Sequence, residues 1–228
     1  MTAATTLPSV SVIIPTLNEA EFLPATLAHL AAQDPGLEII ASDGGSRDAT
    51  RQLAMDAGVI VLSSDRAQRA AQMNLGARTA HGDVLLFLHA DTQLPSGGLT
   101  NLKAALQDPR VGGGAFARRF TGTSTFLRCT CELADWRGRI LGWHLGDQAM
   151  FVRRPIFDSL GGFADMDQFE DLDFSRRLRR ISRTVTLRPP VVSHGRRFER
   201  HGPVATTARD LGLTLRYLWR GASDEFRK

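Results

Sequence analysis

The sequence predicts an α/β domain with a mainly parallel sheet and helices on both faces. Three observations predict it. Short apolar runs alternate with segments of helical periodicity from residue 10 to about residue 89. One of those runs, VLLFL at 84–88, is continuous rather than alternating, as a strand covered on both faces requires. Polar and acidic residues close several of the runs, where α/β sheets present their carboxyl ends to ligands.

The elements follow in order. Ser11–Pro15 is strand-like, and Glu21–Gln33 places Leu23, Leu27 and Leu30 on one helical face. Leu37–Ser42 is a second strand. Asp48–Ala57 is helical and stops at Gly58, a suitable C-terminal cap. Val59–Ser63 is a third strand, Asp65–Ala80 a helix, and Asp83–His89 the fourth strand. Leu99–Leu106 then reads as helix, Val111–Arg119 as a Gly-rich strand, Thr125–Leu141 as helix and Gln148–Arg153 as strand. Pro155–Leu160 starts a short helix, since proline suits a first turn. Leu172–Ile181 is an arginine-studded helix, and Thr184–Leu187 is a short strand ended by Pro189 and Pro190. Ala205–Trp219 is amphipathic. Its Leu211, Leu215 and Leu218 are expected to pack on the core, limiting any membrane contact to a weak, salt-sensitive peripheral one. The interleaved basic residues are Arg209, Arg216, Arg220, Arg227 and Lys228.

Composition excludes several classes. With 228 residues, 43% hydrophobic and 23% charged, the chain suits a single folded domain rather than disorder. No apolar run reaches the roughly 18 residues of a membrane span, and no secretory leader is visible, so the expected compartment is the cytoplasm. Cys129 and Cys131 are too close in sequence for a usual redox or zinc pair and read as reduced thiols on a helix. The charge is polarised: residues 1–110 hold 7 basic and 11 acidic side chains, residues 111–228 hold 21 and 13. All the basic residues except Lys103 and Lys228 are arginine, whose planar fork suits phosphate.

Three strand ends carry the chemistry. The first ends in Pro15-Thr16-Leu17-Asn18-Glu19, a strand-end lining or a helix cap. The second ends in Asp43-Gly44-Gly45-Ser46-Arg47-Asp48. Its acid can accept hydrogen bonds from a base or ribose, its glycines permit close backbone approach, and Ser46 or Asp48 can cap the next helix. Asp43 is expected to pack against little. The spacing matches neither a dinucleotide fingerprint nor a P-loop. The fourth ends in His89-Ala90-Asp91-Thr92, which offers Asp91 as a hard oxygen ligand for Mg²⁺ or Mn²⁺.

PTLNE (15–19), SDGGSRDAT (42–50) and LLFLHADT (85–92), in this order, resemble the family 2 glycosyltransferases of the GT-A fold, a Rossmann-like architecture. RAQRAAQMNLGARTAHGD (66–83), GGAF (113–116), GDQAMFVRR (146–154) and EDLDFSRRL (170–178) narrow the resemblance to the bacterial radical-SAM/selenodomain-associated transferase 2 subgroup. The resemblance implies one domain over 1–228, with a nucleotide-binding half at 1–92 and an acceptor-facing half at 93–228.

By position, the resemblance implies that Pro15, Thr16 and Glu19 line a nucleoside pocket. Asp43 would hold the base edge, and Asn74 or Arg69 would lie near ribose or phosphate. His89 falls where the family carries the first acid of D-x-D, a departure, while Asp91 keeps the last as metal ligand. Asp171 is implied as the general base of an inverting transfer, with Glu170 orienting the loop or acceptor. Asp173 is expected to face solvent or to pair with Arg176 or Arg177. Arg196 and Arg197 would clamp phosphates, and His194 or His201 would complete the metal shell, with His194 the choice. Gly146-Asp147-Gln148 either shapes the sugar pocket or forms a turn. The implied partners are a nucleotide-diphosphate sugar and a hydroxyl acceptor, small or lipid-linked, with Mn²⁺ or Mg²⁺ and no nucleic acid; a homo-oligomer is compatible. Rival readings are a nucleotide-sugar-binding protein without activity and a sugar nucleotidyltransferase, though the latter's Gly-rich phosphate loop is missing.

Overall fold

The computed structural model describes residues 7–122 and 124–225. The strands are β1 (Val10–Thr16), β2 (Glu38–Asp43), β3 (Ile60–Ser63), β4 (Val84–Phe87), β5 (Thr92–Gln93), β6 (Val111–Phe120), β7 (Met150–Arg153) and β8 (Arg183–Ser193). The helices are α1 (Leu23–Gln33), α2 (Thr50–Asp56), α3 (Arg69–Thr79), α4 (Gly98–Ala105), α5 (Thr125–Leu141), α6 (Arg154–Ser159), α7 (Glu170–Ile181), α8 (Arg196–His201) and α9 (Pro203–Glu225).

One sheet runs β3-β2-β1-β4-β7-β6-β8-β5. β1 pairs in parallel with β2 and β4, and β2 with β3. Beyond β4 the directions mix, because β7 is antiparallel to both β4 and β6 while β8 is parallel to β6. Alternation along β1 explains the two-faced core. Val12 and Ile14 join Leu23, Leu27 and Leu30 of α1 and Leu99 and Leu102 of α4. Ile13 faces the other way, into Met73 and Ala77 of α3 and a cluster of Phe157, Phe163 and Phe174. Gly76 lets α3 lie close on β1, since a Cβ there would stand 2.4 Å from Ile13 Cγ2.

The structure departs from the sequence reading in three places. β8 does not stop before Pro189 and Pro190 but continues to Ser193. Its register against β6 jumps there, with Phe116 opposite Leu187 and Arg118 opposite Val191, so the prolines sit in an irregularity that needs no ladder donors. β5 and α8 are too short to carry a periodic signal. The third correction concerns α9. Leu211 and Leu215 do not pack on the core but are exposed, and Thr206 makes the buried contact instead. Arg227 and Lys228 lie outside the described residues. Both cysteines of α5 are free, Cys131 buried and Cys129 exposed.

Candidate functional site

β2 and β3 lie on one side of β1 and β4 on the other, so the strand order reverses beside β1 and the loops after β1 and β4 border a crevice. The loop after β1 is laced to the loop after β2. The Asn18 N–H donates to Ser46 Oγ (2.8 Å), the Arg47 N–H to Asn18 Oδ1 (2.8 Å) and the Ala20 N–H to Asp48 Oδ2 (3.1 Å). Asp48 also accepts from the Thr50 N–H at the start of α2, where Ala49 is the N-cap.

Asp43 closes β2 and is fully buried. Its Oδ2 accepts from the N–H groups of Gly45 (3.0 Å) and Ser46 (2.9 Å), and its Oδ1 from the hydroxyls of Thr16 (3.2 Å) and Ser46 (2.5 Å). A carboxylate offers about four lone-pair sites, and these four donors fill them. The expectation that Asp43 packs against little is therefore corrected: it is the knot of the turn, and a direct base contact would have to displace one of these donors. Pro15 is half-buried within β1, and the Thr16 carbonyl accepts from Gly44 N–H and Gln72 Nε2.

The β4 side carries the charge. Arg196 Nη2 donates to Glu19 Oε1 at 2.6 Å and lies 3.4 Å from Asp91 Oδ2. One guanidinium thus joins the ends of β1 and β4 to the loop after β8. The His194 N–H donates to the Asp91 carbonyl (3.0 Å), and its ring packs on Phe22. His194 Nδ1 and Glu19 Oε2 are buried without a partner. Among the described residues no cluster of three or more His, Cys, Asp or Glu side chains could hold a metal alone. Asp91 and His194 supply one carboxylate and one imidazole, which fits a divalent cation whose other ligands are phosphate oxygens and water. His201 is exposed at the end of α8 and lines a shallow cavity with Arg197, Arg209 and Asp210.

α7 delivers the remaining acids. Phe169, just before it, has φ 68°, in the left-handed region, and its ring stacks on Tyr217 of α9 at 5.0 Å. Asp171 is gripped at both oxygens: Oδ2 accepts from Gly146 N–H (2.5 Å) and Oδ1 from its neighbour Leu172 N–H (2.6 Å). A Cβ at Gly146 would lie 3.0 Å from His89 Nε2 and 3.2 Å from Asp171 Oδ2, so a side chain there would press on both groups. Burial raises the Asp171 pKa, Asp147 adds to the rise, and the two N–H groups and Arg69 oppose it. Burial and the charge of Asp171 push Glu170 up to about 7. Burial and Arg69 push His89 down to about 4, so its imidazole is neutral at pH 7.

Glu170 has a stability signature. Between its usual 4.5 and about 7 the folded chain binds more protons than the unfolded one, so stability falls as pH rises through that window. Above it the full cost is about 3 kcal/mol. Glu170→Gln is expected to be more stable than the parent at pH 8, by up to about 3 kcal/mol, and equal to it near pH 4. Urea denaturation at both pH values checks this.

The structure brings Glu19, Asp91, His194 and Arg196 into one group, and Arg69, His89, Glu170 and Asp171 into a second. It does not bring in Asn74, whose amide exchanges two 2.9 Å hydrogen bonds with the backbone of Phe163 and so ties α3 to the loop after α6. Nor does it bring in Arg197, which is exposed and paired with Asp210 of α9. Asp173 pairs with Arg177 (2.7 Å), one of the two expected arrangements. Sequence reasoning missed Arg118 and Arg137. Arg118 is ion-paired with Asp147, and Arg137 Nη2 reaches Gln148 Oε1 (3.3 Å). An arginine within a strand or helix gives no signal that it points inward, whereas the GDQ stretch had signalled Asp147.

The family model for glycosyl transferase family 2 matches residues 11–160. An undecaprenyl-phosphate 4-deoxy-4-formamido-L-arabinose transferase of Aeromonas hydrophila is 33% identical over 168 residues, covering 66% of this chain and 51% of that protein. A PGL/p-HBAD biosynthesis glycosyltransferase of Mycobacterium tuberculosis is 41% identical over 95 residues, 38% of this chain and 37% of that protein. The chain thus spans about half the length of these curated relatives, or less. Among solved structures, the mannosyltransferase PcManGT of Pyrobaculum calidifontis, in complex with GDP-Man and Mn²⁺, aligns with TM-score 0.67 and 25% identity over 83% of this chain and 57% of its own. TarS of S. aureus in complex with UDP-GlcNAc aligns with TM-score 0.67 at 16% identity, covering 82% and 58%, a likeness of fold.

Proposed function

Because the chain belongs to glycosyl transferase family 2 and has the GT-A fold, we propose that it moves a sugar from a nucleotide-diphosphate sugar to a hydroxyl acceptor, with inversion at the anomeric carbon. The observation that carries the reading is Asp171. It is a buried carboxylate of raised pKa in the first turn of α7, oriented by two backbone N–H groups, one of them from Gly146, which also lies beside His89 at the end of β4.

The acceptor oxygen attacks the anomeric carbon in line as the bond to the diphosphate breaks, and Asp171 takes the hydroxyl proton. Glu170 and the Arg69 charge set the field around that base. Arg196, beside Asp91, is placed to turn from its carboxylates to a phosphate by charge-assisted hydrogen bonds. Asp91 and His194 would hold Mn²⁺ or Mg²⁺, which supplies Lewis-acid stabilisation of the departing diphosphate. The GDP-Man and Mn²⁺ bound by the solved mannosyltransferase PcManGT support this donor class. A lipid-linked acceptor is favoured over a small one by the undecaprenyl-phosphate relative. The narrower resemblance to the radical-SAM/selenodomain-associated subgroup rests on the 66–83 and 146–154 motifs.

The test is release of nucleoside diphosphate by the purified chain with Mn²⁺ over a panel of nucleotide sugars. Turnover of one of them supports the proposal, and binding without turnover would favour a sensor. In calorimetry, Asp91→Asn is expected to lose the Mn²⁺-dependent part of nucleoside diphosphate affinity, and an unchanged Mn²⁺ dependence would remove Asp91 as ligand.

A further inference from the structure

We propose that α5 and α9 form a face that docks on the surface of an anionic lipid bilayer. The sequence gives α5 apolar residues all round, and the fold uses only part of them. Leu127, Cys131 and Ala134 face inward. Phe126, Leu133, Trp136 and Ile140 fall within a stripe about 80° wide at helical spacing, and all are exposed, Leu133 by 67% and Trp136 by 65%. α9, which packs against α5, repeats the pattern. Val204, Leu211, Leu215 and Trp219 share one side, with Leu211 and Leu215 each 58% exposed. Two neighbouring helices with outward apolar stripes are more than the scattered surface leucines of an ordinary domain.

Charge selects the occupant. The exposed Arg209 and Arg216 border the α9 stripe on one side; on α5, Arg128 and Arg139 lie beyond Glu132, with Arg139 paired to Asp135. Apolar residues bordered by arginine suit an interface of acyl chains and anionic headgroups. No helix among the described residues is long and apolar enough to cross a membrane, so the contact lies on the surface. α9 also reaches the site from its other side: Tyr217, on the side of the helix away from Leu211 and Leu215, stacks on Phe169, next to Glu170 and Asp171. Delivery of a lipid-linked acceptor to Asp171 rests on the transferase reading; the docking itself needs neither donor nor acceptor.

The test is sedimentation of the whole chain with vesicles of phosphatidylcholine, with and without phosphatidylglycerol, at low salt and at 0.5 M NaCl, without substrates. The chain is expected to sediment with the anionic vesicles and in part to stay bound at high salt, since the apolar contact is not screened. L211D/L215D is expected to bind at least about tenfold less. Arg216→Ala is expected to bind about fivefold less on anionic vesicles alone. These side chains are exposed, so circular dichroism should not change. Failure of the parent to sediment, or binding by L211D/L215D equal to the parent's, would overturn the proposal. So would a stable dimer in light scattering that L211D/L215D turns into monomer. Donor turnover in the same preparation separates the two readings: turnover without vesicle binding removes the docking face alone, and vesicle binding without turnover removes the transferase alone.

Discussion

Asp171→Asn is expected to lower the turnover of sugar transfer by about 10²–10⁴-fold, the usual contribution of a general base. Donor affinity should stay at the parent value, because Glu19, Asp91 and Arg196 sit on other elements. Asparagine nearly matches the carboxylate in shape. It cannot take a proton, and its NH₂ meets an N–H donor at whichever oxygen position it occupies, because both are already donated to. The pH profile provides a second readout. Burial raises the pKa of Asp171, so the parent should gain activity with pH as the carboxylate ionises, and the variant's residual activity should lack that limb. Turnover assays over pH together with donor calorimetry check both. A loss smaller than tenfold would transfer the role to Glu170, whose pKa of about 7 is already poised for it.

Asp43→Ala is expected to destabilise the fold by about 2–4 kcal/mol, because two backbone N–H groups and two hydroxyls lose a buried charged acceptor at once. Donor affinity should fall with it, since the turn at 44–48 holds the loop after β1 through Ser46, Arg47 and Asp48. Urea denaturation and nucleotide calorimetry on one preparation check the pair of effects. An unchanged denaturation midpoint with lost binding would mean that a ligand, not the turn, uses the carboxylate.

The parallel βα units were legible because their strands are short, apolar and separated by helices of regular period; the bounds of α5 agree with the reading, and the structure shows its ends held by Ser124 and by left-handed Gly142. The strand-end acids were legible for a related reason: in an open α/β sheet their position along the chain fixes their position in space. What failed depended on which way a side chain turns. Asn74 and Arg197 were placed near the donor by position, yet each is taken by a neighbour that sequence spacing does not reveal. Asp43 was recognised as a strand-end acid, but its saturation follows from a turn whose hydrogen bonds are specific to the folded loop. The stripe of α9 failed differently. Amphipathic periodicity says that a helix has an apolar side, not that the protein supplies its cover.

Phe169 has a consequence for how this chain could change over time. A bulky residue in left-handed backbone is held at a cost of about 1–2 kcal/mol that glycine would avoid. Glycine at 169 would relieve that strain but give up the ring's contact with Tyr217, so the net change in stability is the balance of the two. The same replacement would free the first turn of α7 from its stacked ring on α9 and let Glu170 and Asp171 wander from the Gly146 N–H. The position is one where relaxed backbone and the aim of the two acids pull in opposite directions.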